Sequence, residues 1–422
     1  MAEMASMAPT SAGQYHWVSE FAPPSAQKFL SYISGWLSAL GWQANIAVTS
    51  YVAANLILAS AGFYNGYVVS EWHQTLFMIG LCLLAISFNA FAAKHLPLLE
   101  GVLLFFLVIG FFAVMIPLWV LAPKVSAKEV FTTFENFGEW PTIGTACIVG
   151  VLASAGAFIG ADSAVHLSEE VKNASVTVPR VMFFTVLLNG AFGLVSITTY
   201  VSCIQSVENQ IAGSEAAFPF MEVFEVATGS KAGAIGMTVP FIVIAFSMCL
   251  NSVAAGSRQG WAFARDEGFP FSGWLSRIRV VRDTPLPINA MICTMFIAIV
   301  LALINLGGGA AFNSIAGLIS GAIGLTYALS IGCVLWRRLF GAPLPHARWS
   351  LGWLGLPFNV VGFFFELFVT VMSFFPLPAH VTVLSMNWGI AMFGGVAVLC
   401  TINYIVHARK VYTGPVVHIK HD

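Results

Sequence analysis

The chain has 422 residues, of which 58% are hydrophobic and 9% charged, with a formal net charge of −1. Soluble domains run nearer a quarter charged, so 36 Phe and 12 Trp on this few charges exclude a water-soluble globule. In a bilayer the same residues serve lipid-facing and interfacial surfaces, and the composition is that of a polytopic membrane protein.

The opening residues, MAEMASMAP, lack the basic region and long apolar core of a cleavable signal. A hydrocarbon core takes about 20 apolar residues in a helix. Spans are expected at 29–59, 73–93, 97–121, 142–166, 181–204, 236–257, 288–306, 311–336, 356–376 and 386–407, with the apolar beginning as part of another. These runs are apolar throughout, without the alternation of a barrel wall. The seven cysteines all fall inside apolar stretches, with no disulfide framework or metal-ligand spacing.

Between the spans, 126–137 and 215–226 mix aromatics with acids and are expected on the outer membrane surface. The stretch 258–281 is expected to extend the preceding helix inward and turn at Gly268-Phe269-Pro270. Its arginines suit anionic lipid, although orienting the topology explains them equally well. Residues 408–422 form a short tail, expected in the cytoplasm. Placing the segment before 29 inside and alternating leaves only Lys124, Lys128 and Lys231 of the 18 Lys and Arg outside. The inside set includes Arg282 and Lys420. That bias is the positive-inside signature.

Residues 156–173, GAFIGADSAVHLSEEVKN, interrupt the fourth span. Gly156 and Gly160 weaken the helix, and Asp162 follows at a depth where an ionised side chain is costly unless compensated. Broken helices near the midplane expose backbone polar groups to small polar substrates in many secondary transporters. The stretch therefore reads as a substrate-site break with Asp162 as its charge. The competing reading is close packing through Gly156 and Gly160, with Asp162 capping the helix that continues to Val171. His166, one turn further, approaches the cytoplasmic surface and is a candidate proton relay.

Other polar residues within spans are Asn45, Asn89, Asn189, Asn251, Asn403 and Glu366. Asn45 and Asn251 sit mid-span and suit a cavity wall, while an interhelical hydrogen bond explains any single asparagine. Gly317 and Gly321 mark close helix packing.

Four stretches carry a family resemblance: MASMAPTSAGQYHWVSEFAP (4–23), GWQANIAVTSYVAANLI (41–57), GADSAVHLSEEVKNASVTVPR (160–180) and FARDEGFPFS (263–272). Together they resemble fungal amino-acid permeases of the amino acid–polyamine–organocation superfamily, nearest the GABA and choline permease branch. The resemblance implies an all-α, LeuT-like transporter fold with two inverted repeats and a substrate held between two broken helices. It places Phe158, Ile159, Gly160, Ala161, Asp162 and Ser163 at the substrate, with Asn45 and Asn251 on walling helices. It gives Asp162 and His166 a coupling or gating role. The first helix of the family has no counterpart here, so the transporter domain over 1–422 is expected to be N-terminally truncated, inserting without concentrative uptake.

The function so implied is secondary transport of an amino acid or related small amine, such as GABA or choline, coupled to a proton. A nutrient sensor on the same fold and an inactive product of a truncated gene model are the alternatives. No enzyme is expected: the nine histidines are scattered, without a cluster at catalytic or metal spacing. Neither catalytic residues, metal, cofactor nor nucleic acid enters this reading. The partners are the solute, a proton and the lipid bilayer, with the plasma membrane the expected location and the vacuolar membrane the second.

Overall fold

The computed structural model describes the chain apart from residues 215, 282, 283, 308, 384, 413 and 416–422, with the backbone alone for 309–313. Arg282 and Lys420 of the inside charges, Glu215 of the surface stretch and most of the tail thus lie outside the described residues.

Two short helices, α1 (Ala2–Met7) and α2 (Gln14–Phe21), precede α3 (Gln27–Asn65), α4 (Glu71–Phe91) and α5 (Leu96–Leu121). A short α6 (Ala127–Thr132) leads into the interrupted span, which is α7 (Ile143–Gly156), a run of turns, and a 3₁₀ helix over Val165–Glu170. There follow α8 (Ala174–Cys203), α9 (Phe220–Thr228), α10 (Lys231–Arg265) and the one-turn α11 (Ser272–Leu275). A small hairpin, β1 (Arg279–Val281) with β2 (Thr284–Leu286), pairs Arg279 with Leu286 and Val281 with Thr284. The chain ends with α12 (Ile288–Ile304), α13 (Gly309–Phe340), α14 (Gly355–Met372), α15 (Gly389–Asn403) and α16 (Arg409–Val411), the last two joined by a π-helical turn.

Nine helices among the described residues are long and apolar enough to cross a membrane. α7 is the exception, with 14 residues. At 1.5 Å per residue it reaches only about 21 Å, short of a hydrocarbon core of about 30 Å. The crossing is completed by non-helical backbone, which a membrane tolerates only where protein or a cavity surrounds it.

α3 and α10 form the central pair, with α13 against the other side of α3. The 39 residues of α3 extend roughly 58 Å, far more than the core thickness, so this helix tilts or projects beyond the hydrocarbon. Helices in lipid gain from close backbone approach rather than from water expulsion, and glycine provides it here. A Cβ on Gly41 would lie 2.4 Å from Ile323 of α13, and one on Gly35 would lie 2.2 Å from the buried ring of Phe263 of α10. The four-residue spacing on α13 works in the same way: a Cβ on Gly321 would meet Phe374 at 2.3 Å. On the far side of α3, Ile46 packs with Cys249, Leu250 and Val253 of α10 and Ala85 of α4.

The intramembrane asparagines are engaged in bonds between elements. Asn89 donates to the Leu250 carbonyl, Asn189 to the Ala157 carbonyl at the break, and Asn403 to the Tyr32 hydroxyl. The amino-terminal segment is held as firmly as any helix: Trp17, Val18 and Phe21 are fully buried, and Glu3 and Glu20 pair with Arg338 and Arg337 at the end of α13.

Because Gly41 faces Ile323 across a filled contact, Gly41→Leu should destabilise the bundle by about 1–3 kcal/mol through overpacking. Gly101 has open space around it, so Gly101→Leu should leave thermal stability of the purified protein unchanged. Equal stability of the two variants in a thermal-shift assay would contradict the close approach of α3 and α13.

Candidate substrate and coupling site

The break begins where α7 stops at Gly156. The next backbone groups close tight turns: Phe158 N donates to Ala155 O, Ile159 N to Gly156 O at 3.2 Å, and Ser163 N to Gly160 O at 2.9 Å. Gly160 has φ +100°, a conformation open to glycine and strained for residues with a Cβ. The carbonyl of Ala157, which has no helical partner, accepts from Asn189 Nδ2 at 2.7 Å. α7 thus ends at Gly156, with its last carbonyls taken up by tight turns and by Asn189.

At that end lies a cavity of about 220 Å³ lined by Asn45, Thr49, Gly156, Ile159, Ala245 and Ser320, among others. Its volume equals the liquid share of about seven waters, the scale of an amino acid or small amine. The polar lining is sparse. Asn45 donates to Ser252 Oγ at 2.9 Å, which fixes its amide at the wall. The carboxyl end of a helix carries partial negative charge, so the terminus of α7 favours a cation.

Asp162 sits one turn beyond, fully buried. Gln14 Nε2 donates to its Oδ2 at 2.5 Å, and the Tyr327 hydroxyl donates to Oδ1 at 2.5 Å. His166 Nε2 lies 3.6 Å from the same Oδ2. The other histidine nitrogen, Nδ1, is 2.8 Å from the carbonyl of Ser11. A carbonyl only accepts, so Nδ1 carries a proton there. Nε2 then faces the carboxylate either as a second N–H, making an ion pair, or as a lone pair opposed to a carboxyl that must itself be protonated. A proton at either atom would turn this contact from repulsive to attractive.

The amino-terminal segment shapes this corner. Gly13 has φ +63°, and a Cβ there would approach His166 Cε1 to 2.8 Å. From the opposite side the Trp42 ring meets the imidazole edge-on, with centroids 5.3 Å apart. Below the pair, Glu169 bonds Ser11 Oγ at 2.5 Å and pairs with Arg265 at 3.2 Å, while Glu170 pairs with Arg258. Two ion pairs tie the 3₁₀ segment to α10, and three hydrogen bonds to Ser11 tie it to the loop before α2.

Several sequence expectations change. Asp162 does not cap the following helix, since its carboxylate is taken by side chains from α2 and α13 and the 3₁₀ segment has no side-chain cap. His166 is 1% exposed and its Nε2 lies 3.6 Å from Asp162. Asn251 lies outside the cavity, because its amide turns to Glu100 Oε2 of α5 at 3.3 Å. Phe158 turns toward α8, its ring 3.7 Å from where a Gly190 Cβ would be, while Ala161 and Ser163 belong to the turn. Ile159 and Asn45 do line the cavity. Gln14, Tyr327, Thr49 and Ser320 carry no local sequence signal of a site, because they come from three helices far from the break in sequence: α2, α3 and α13.

Helix ends, free backbone groups and a small cavity within a helical bundle are what secondary transporters use to hold a solute, and the fold and site define a membrane transporter. The family model described as amino acid permease matches residues 1–398, and the chain belongs to that family. A protein of Macrophomina phaseolina named as an amino acid/polyamine transporter is 30% identical over 92% of this chain and 86% of its own length. The choline transporter of Saccharomyces cerevisiae is 27% identical over 92% of this chain and 68% of its own. Among solved structures, the manganese transporter of Eremococcus coleocola overlays 97% of this chain and 91% of its own, at 13% identity and a TM-score of 0.48.

The network around Asp162 makes a stability prediction. In Asp162→Asn, rotation of the Gln14 amide presents its unpartnered Oε1 to the new NH₂, and Tyr327 still donates to the remaining oxygen. Stability should fall by less than about 1 kcal/mol, the scale of one hydrogen bond. Asp162→Leu strands Gln14, Tyr327 and His166 together and should cost about 3–5 kcal/mol. Thermal denaturation of the two purified variants decides; equal losses would contradict the network.

Proposed function

We propose that the chain imports an amino acid or related small amine across the plasma membrane, coupled to a proton held by Asp162 and His166. The observation that carries this reading is the juxtaposition of a small cavity at the carboxyl end of α7 with the buried Asp162–His166 pair one turn beyond. The cationic amine of the solute is placed at the α7 terminus, where the helix dipole and the Asn45, Thr49 and Ser320 side chains meet. Amines of different length share this anchor, and the width of the cavity limits their bulk.

Coupling follows from connectivity. Gly160 and Ala161 separate the cavity-lining Ile159 from Asp162, so a solute that shifts the turn alters the Asp162–His166 contact. Loss of the shared proton leaves His166 presenting a lone pair to an ionised carboxylate, which destabilises the closed arrangement. Opening toward the cytoplasm would swing the 3₁₀ segment away from α10, breaking the Glu169–Arg265 and Glu170–Arg258 pairs.

The experiment is uptake of labelled GABA, choline and neutral amino acids by permease-deficient yeast expressing the chain, at external pH 4.5 to 7.5. Uptake of at least one amine that rises as pH falls is expected, in place of the insertion without concentrative uptake expected from the sequence. In Asp162→Asn, at matched membrane abundance, the remaining uptake should vary with pH less than twofold. Unchanged pH dependence in that variant would remove Asp162 from coupling.

A further inference from the structure

The chain that follows α15 turns back onto the bundle. Asn403, the last residue of α15, donates its Nδ2 to the Tyr32 hydroxyl of α3 at 2.7 Å. The π-helical turn Tyr404–Ala408 then sets the Tyr404 ring 5.2 Å from the rings of both Phe29 and Tyr32. Lys28 Nζ holds the Arg409 carbonyl at 2.8 Å. All three residues of α16 are exposed, yet Tyr412, directly after them, is 0% exposed. An exposed strand of chain thus inserts a single ring into the interior.

That ring has a built seat. It meets Tyr32 of α3 and Phe263 of α10 edge-on, with centroids 5.4 Å and 5.9 Å apart. A buried tyrosine hydroxyl needs a partner, and this one lies 2.7 Å from Ser31 Oγ. Ser31 Oγ donates to the Tyr15 carbonyl at 2.9 Å. A carbonyl only accepts, so the Tyr412 hydroxyl is the donor to Ser31. Two residues on, Gly414 has φ +81°, and a Cβ there would come within 3.2 Å of Ser19 Oγ of α2.

The elements under the ring are those that grip the segment beyond the break. Tyr15 follows Gln14, whose amide donates to Asp162. The Tyr15 hydroxyl donates to Asp266 Oδ2 at 2.8 Å, and its ring packs on Phe263 at 5.1 Å. Arg265, next to Asp266, pairs with Glu169 of the 3₁₀ segment at 3.2 Å. On the positive-inside assignment this end of the bundle faces the cytoplasm.

We infer that residues 404–412 are a strap that holds the break closed toward the cytoplasm, and that Tyr412 leaves its seat before the 3₁₀ segment parts from α10. The inference rests on the inward opening of that segment proposed above. While seated, the ring ties the start of α2 to α3 and to the end of α10, so Gln14 and Arg265 keep their places. Its release breaks one hydrogen bond and the ring contacts but unwinds no long helix, because α16 is already on the surface.

The test is the rate at which N-ethylmaleimide alkylates Ser168→Cys in the purified full chain, in mild detergent without solute, resolved peptide by peptide by mass spectrometry. Ser168 is 2% exposed and its hydroxyl has no hydrogen-bond partner, so the substitution reports exposure of the 3₁₀ segment without breaking a bond. Tyr412→Ala should raise the rate at least fivefold. Lys28→Ala, which frees only the Arg409 carbonyl at the surface, should raise it at least twofold and guards against a folding defect in the first variant. Val411→Ala, on the exposed side of the strap, should leave it unchanged. Native Cys249, fully buried in a separate cluster with Cys82 and Ile46, should keep its own rate throughout. Unchanged alkylation of Ser168→Cys in both strap variants would overturn the proposal, as would equal acceleration at Cys249. Absence of uptake by every version would count against transport alone, because alkylation is measured without solute.

Discussion

The structure turns on one carboxylate buried at a break in a membrane-crossing helix. An ionised group at that depth is costly, and interrupted backbone there adds unsatisfied polar groups. Both are compensated locally. Two donors, Gln14 and Tyr327, and a facing imidazole surround Asp162, while Asn189 and a series of tight turns absorb the backbone groups. Packing across this region follows from the same requirement. Gln14 reaches Asp162 because α2, buried except at Glu20, packs against both α3 and α13, and Tyr327 reaches it from the middle of α13.

The close packing of α3, α10 and α13 gives this network its rigidity. Glycines at Gly35, Gly41 and Gly321 bring backbones together where a methyl group would overlap a neighbour. In a bilayer such contacts supply van der Waals energy that exclusion of water does not. The compact scaffold contrasts with α7, none of whose residues is buried. The break therefore joins a firmly held segment, 162–170, to a loosely held one. On the proposed function, a solute bound at the end of α7 would act on the less buried of the two.

Most of the helical architecture was legible because each span is apolar over enough residues to be read alone. The break was legible too: two glycines and an aspartate within an apolar run have few membrane-compatible explanations. What escaped the sequence was partnership. Gln14 and Tyr327 lie 148 and 165 residues from Asp162, and nothing in their local context distinguishes them from neighbours. Asn251 illustrates the same limit in reverse. Its mid-span position suited a cavity wall, yet Glu100, hidden in a strongly apolar stretch, captures its amide. The β1–β2 hairpin was also missed, since three-residue strands produce no periodic signal, and Pro285 within one of them argues against a strand.

The central claim is that Asp162 and His166 together hold one exchangeable proton tied to solute binding. Its most direct measurement is proton release or uptake when GABA, choline or a neutral amino acid that the chain transports is mixed with purified protein in weakly buffered detergent solution containing a pH-sensitive dye. The account predicts a change approaching one proton per chain, which disappears in Asp162→Asn although the solute still binds. Solute binding with no proton exchanged, or the same exchange in Asp162→Asn, would contradict it.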